Sequence, residues 1–87
     1  MVLQLTGETK MNDGFKHITD DAAVRIIKQR TGSTLSADEI FWAEFNESTQ
    51  ILQFEDRAEC VWRIDVNGRS CRRWAWGEEW TEWEEKQ

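Results

Sequence analysis

The chain has 87 residues, a net charge of −6, six Trp, four Phe and two Cys. That length supports one small domain, and large aromatic side chains, each removing about 150–250 Å² from water when buried, can build its core without staples. Two cysteines exclude a disulfide scaffold, no apolar run approaches the roughly 20 residues of a membrane-spanning helix, and the acidic balance argues against a general nucleic-acid binder.

Residues 1–18 carry the weakest signal. Val2, Leu3 and Leu5 fit a short edge strand, Met11 offers an alternative start, and residues 1–15 are expected to be mobile. The beginning of the chain lacks a basic region followed by a long apolar stretch, so no secretory signal is expected and a reducing, cytoplasmic setting is the default.

The clearest element is a helix over residues 19–31. Thr19 or Asp20 can cap it, Ala23, Ile26, Ile27 and Arg30 recur at helical spacing, Lys28 and Arg30 favour its C-terminal end, and Gly32 supplies a left-handed cap. Residues 36–46 send two messages. Ser36 and Glu39 have the spacing of a capping box, whereas residues 40–45 are rich in strand formers, with Phe41, Ala43 and Phe45 alternating onto one face. Strand is the preferred reading. A turn at residues 46–49 then leads into a strand over 50–55, where Leu52 and Phe54 share a face.

The next strand alternates Cys60, Trp62 and Ile64 with Val61, Arg63 and Asp65, and Asn67-Gly68 predicts a hairpin. A two-residue loop would pair Val66 with Arg69 and set Trp74 and Trp76 opposite Trp62. A three-residue loop with left-handed Gly68 pairs Asp65 with Arg69 and gathers Cys60, Trp62, Ile64, Trp74 and Trp76 on one face. A one-residue slip exchanges the faces of a strand, so the second register, with its aromatics together, is preferred. The return strand is expected over residues 69–76. Trp76, Trp80 and Trp83 then suggest helical turns or an irregular tail pinned by its rings. The expected fold is α+β, one helix on a four-stranded antiparallel meander, in a single domain 1–87 with an acidic tail at 77–87.

Catalytic signatures are weak. His17 is the lone histidine and has no spaced nucleophile; a capping or surface role is the ordinary alternative. Cys60 and Cys71 fall on opposite faces in the preferred register, which forbids a disulfide, and they are too few for a zinc site. Paired acids such as Asp20-Asp21 and Glu84-Glu85 lack an evident cleft, so no catalytic residue, metal or cofactor is expected and the chain is read as a non-enzyme.

Charge layout is the stronger lead. Residues 38–56 hold six acids and no base; residues 57–73 hold five Arg against Glu59 and Asp65; residues 78–87 hold five Glu and one Lys around Trp80 and Trp83. Such blocks make strong local fields and favour charged partners. The candidate partner-binding residues are Glu44, Glu47, Glu55, Asp56, Glu78, Glu79, Trp80, Glu82, Trp83 and Glu84. They would meet a basic protein or nucleoprotein complex as a DNA mimic does, with the chain a monomer or homodimer. An acidic surface that only confers solubility is the alternative for the same residues. A different grouping, Arg69, Arg72 and Arg73 beside Trp74 and Trp76, has the composition of a single-strand nucleic-acid grip. In size, charge and aromatic density the whole chain resembles small acidic inhibitors encoded by bacteriophages, including anti-CRISPR, glycosylase-inhibitor and anti-restriction proteins. That resemblance implies a viral inhibitor of a nucleic-acid-handling machine and assigns no individual residue; the retained Arg block departs from the uniformly acidic mimics.

Overall fold

The computed structural model describes residues 14–77 and 79–85. The expected strand at Val2–Leu5, the alternative start at Met11 and the partner role of Glu78 lie outside these residues. The elements run β1 (Phe15–His17), α1 (Asp20–Thr31), a 3-10 turn (Ala37–Glu39), β2 (Ile40–Asn46), β3 (Ile51–Asp56), β4 (Cys60–Ile64) and β5 (Ser70–Trp74). The strands form one antiparallel sheet in the order β1-β2-β3-β4-β5. The architecture is α+β, with five strands where the sequence predicts four. The additional strand, β1, has three residues and is defined by pairing Lys16 with Phe45, a contact no local pattern announces.

Helix α1 forms where its caps and spacing predict. The Thr19 hydroxyl accepts a hydrogen bond from the Ala22 amide, and Gly32, at φ 79°, donates its amide to the Lys28 carbonyl. An N-cap of this kind contributes about 1 kcal/mol. Both signals over residues 36–46 are realised in turn: the Ser36–Glu39 capping box closes the 3-10 turn, and β2 follows directly.

The pattern within β2 differs from the expected alternation. A β-bulge between Ile40 and Trp42 inserts Phe41 as an extra residue, so Ile40, rather than Phe41, joins Ala43 inside, and Phe41 is 58% exposed. The core consists of Ala23 and Ile27 from the helix against Ile40, Ala43, Leu52, Phe54 and Ile64, with Phe45 and Trp62 packed around them.

The β4–β5 register is the one that the three-residue loop requires. Ile64 pairs with Ser70 and Cys60 with Trp74; the Asp65 amide bonds the Arg69 carbonyl at 2.9 Å, and Gly68 has φ 86°. The reason for that register is not the one that the sequence suggests. Trp74 does point to the helix-facing side, but it is 52% exposed, and Trp76, beyond the strand end, is 71% exposed. Neither belongs to the core. Instead, the Asp65 carboxylate holds the loop by accepting from the amides of Asn67 and Arg69 and from the Arg69 guanidinium. The same register buries Val61 and Cys71 on the opposite face.

Among the described residues the tail contains no helix. Residues 79–85 run along the outer edge of β5, bridging Ser70 to Glu84.

Candidate partner-binding site

The acids of the β2–β3 hairpin divide by role. The Glu44 carboxylate accepts from the Gln53 amide at 3.1 Å, and Gln53 in turn accepts from Arg63 at 2.7 Å, which makes a polar ladder across three strands. Glu55 accepts from the Trp42 indole at 2.7 Å. Asp56 accepts from the amides of Ala58 and Cys60 and from the Trp62 indole, all within 3.0 Å. These three carboxylates are half-buried and hold the hairpin together. Glu47 is exposed, but it sits in the β2–β3 turn, at the other end of β3 from Asp56. The hairpin acids therefore form no single row.

The tail acids are different. Glu79, Glu82, Glu84 and Glu85 are all exposed, yet their backbone is held in place. The Thr81 amide donates to the Arg72 carbonyl at 2.9 Å, and the Arg72 amide donates to the Thr81 hydroxyl at 3.0 Å. Ser70 and Glu84 exchange amide-to-carbonyl bonds at 3.0 and 2.7 Å. Trp80 is half-buried with two guanidinium groups over its ring, Arg63 at 4.3 Å and Arg73 at 5.0 Å, so it anchors the tail rather than standing free. Such contacts contribute about 0.5–2 kcal/mol each, depending on desolvation. Trp83 lies 5.7 Å from the Arg69 guanidinium and stays 39% exposed.

The arginines proposed as an alternative grip are also partly engaged. Arg69 pairs with Asp65 at 2.7 Å. Arg73 donates to the carbonyls of Trp74, Ala75 and Gly77 and so shapes the chain reversal after β5. Arg72 is exposed, with its guanidinium 5.4 Å above Trp62 on the helix-facing side.

One surface was named in part by the sequence, through Trp74 and Trp76, but without Phe41. Trp74 and Trp76 stack in parallel, with centroids 5.5 Å apart and planes within 4°, and both are open to solvent. A shallow cavity of about 310 Å³ lined by Phe41, Arg57, Glu59 and Ala75 puts Phe41 and its overlying Arg57 at the same end of the sheet. Three exposed aromatics interleaved with Arg and Glu have the composition of interface hot spots. The Trp-rich spacing was visible beforehand; the bulge that expels Phe41 was not.

Burial pushes the thiols of both cysteines up from their ordinary range, and both are free. They pair across the strands with Trp74 and Arg63 respectively, on opposite faces of the sheet. His17 is exposed at the end of β1, opposite Glu44. Among the described residues no group of three or more His, Cys, Asp or Glu converges to hold a metal ion. Among the same residues no helix is long and apolar enough to cross a membrane. No known family, curated protein or solved structure matches this chain.

Proposed function

We propose that this chain is a small acidic, non-enzymatic binding protein that occupies a basic, nucleic-acid-handling surface of a larger protein, as phage-encoded inhibitors of host defence do. The observation that carries this reading is the state of the tail: Glu79, Glu82 and Glu84 are exposed on a backbone bonded to β5. Carboxylates held in this way lose less freedom on docking than carboxylates on a loose tail, and their shared sign steers approach to a basic groove. Trp83, half-open between them, and the nearby Trp74–Trp76 stack add aromatic area at low conformational cost. Glu44, Glu55 and Asp56 serve this reading indirectly, by holding the hairpin.

The test is capture of partners from host lysate at low salt by the wild type and by a Glu79→Lys, Glu82→Lys, Glu84→Lys variant. The wild type is expected to retain a protein that survives nuclease treatment and leaves with a salt step. The variant is expected to lose it by at least about tenfold, the equivalent of 1.4 kcal/mol. Equal capture by both would remove the acidic tail from the mechanism.

A second reading is favoured by the open Trp74–Trp76 stack beside Arg72, since paired aromatic faces next to a guanidinium can stack bases and meet phosphate. It predicts quenching of Trp fluorescence by a single-stranded oligonucleotide at low salt, lost in Trp76→Ala. An unchanged spectrum disposes of it.

A further inference from the structure

The tail does more than present carboxylates: it occupies a site. The outer edge of β5 would otherwise offer the amides and carbonyls of Ser70 and Arg72, and unpaired strand edges are templates for another strand. Residues 79–85 fill it as an incomplete sixth strand, using Thr81 against Arg72 and Glu84 against Ser70. Side chains reinforce the fit. Trp80 lies under the guanidinium groups of Arg63 and Arg73, Trp83 approaches Arg69, and an acidic segment thereby runs beside a hairpin that carries Arg63, Arg69, Arg72 and Arg73. In peptide capture by strand addition, main-chain hydrogen bonds give affinity and the seating of side chains gives specificity, and here Trp80 is the side chain that is seated.

We infer that the β5 edge is a receptor for an extended acidic strand with a tryptophan, that residues 79–85 fill it in cis, and that the same segment of a second copy fits it in trans. The geometry of the connection supports exchange. The chain leaves β5 at Trp74, reverses through a turn in which the Gly77 amide bonds the Trp74 carbonyl at 2.9 Å, and returns antiparallel. Opening that reversal lets the tail reach a neighbour's β5 edge with every strand contact preserved, the arrangement that makes exchange of identical elements a low-cost route to dimers. In the wild type the cis tail competes at very high effective concentration, so the trans site is available only for the fraction of time the tail is released.

The inference uses no outside partner, so its failure leaves the inhibitor reading intact. The experiment is anisotropy of a labelled synthetic peptide spanning residues 77–87, titrated with the full-length wild type and with full-length Trp80→Ala. The variant loosens its own tail and leaves the β5 edge and its arginines in place. It is expected to bind the peptide at least about tenfold more tightly than the wild type does, because the available fraction of the site rises. A peptide with Ala at the Trp80 position is expected to lose that gain. Binding of both peptides alike by the variant, or no gain over the wild type, overturns the inference. Should Trp80→Ala fail to fold, deletion of Gly77 and Glu78 in the full chain carries the same test: it shortens the reversal, and sedimentation is expected to show a dimer. A strict monomer overturns exchange.

Discussion

Asp65→Ala is expected to cost about 3 kcal/mol of folding stability, as the loss of charge-assisted hydrogen bonds and the exposure of unmatched amides in a half-closed turn. Asp65 is 7% exposed, and its two oxygens accept from the Asn67 amide at 2.9 Å, the Arg69 amide at 2.8 Å and the Arg69 guanidinium at 2.7 Å. In a domain whose total stability is about 5–15 kcal/mol, that is a large share, and it lowers the melting temperature by about 4–8 °C per kcal/mol. Urea denaturation of the wild type and variant measures it; a loss below about 1 kcal/mol would show that the loop closes without the carboxylate.

The same residue makes stability depend on pH, and the sign is determined by its surroundings. Burial alone pushes the Asp65 carboxyl up, but the hydrogen bonds from the Arg69 amide and guanidinium, the Asn67 amide and the Arg69 charge outweigh it and hold the group below its ordinary value of 3.8. A carboxyl with a depressed folded-state value binds its proton less readily when folded than when unfolded. Its stabilisation is therefore fully present above the unfolded value and is lost as the pH falls through the folded one. Acid titration of the wild type is expected to show this loss below about pH 4, the unfolded carboxylate range. In Asp65→Ala that part of the slope disappears.

Asp56→Ala is expected to cost about 2 kcal/mol and to leave partner capture unchanged once equal folded protein is compared. One Asp56 oxygen accepts from the Ala58 and Cys60 amides, which closes the β3–β4 turn, and the other accepts from the Trp62 indole. Removing it orphans three donors at a point where Glu59 is already held at φ 67°, a conformation unfavourable for a residue with a side chain. Reduced capture by a fully folded Asp56→Ala protein would return Asp56 to the binding surface, where the charge pattern first put it. Together with Asp65, it shows why a run of acids in a small protein is an ambiguous signal. Carboxylates that close turns and carboxylates that meet partners look alike until their donors are located.

What was legible in the sequence is what neighbouring residues decide. The helix follows from Thr19, Gly32 and the spacing of Ala23 and Ile27. The hairpin follows from Asn67-Gly68, and its register is the one expected, although the Asp65 carboxylate rather than a shared aromatic face is what holds it. These depend on backbone energetics within a few residues, which composition and spacing report directly.

Tertiary structure alone decided which aromatics are buried. A helix of 12 residues is about 18 Å long and about 10 Å across, enough to cover roughly two strands spaced about 4.8 Å apart. Helix α1 packs on β2 and β3, and the core reaches β4 only through Ile64 and Trp62, so the β5 end of the same face stays open and Trp74 and Trp76 remain in solvent despite their apolar pattern. The bulge that turns Phe41 out, the pairing that makes β1 a strand and the docking of the tail on β5 likewise depend on residues distant in sequence. Periodicity specifies which side chains share a face; whether anything covers that face is a matter of how many elements the chain has to cover it with.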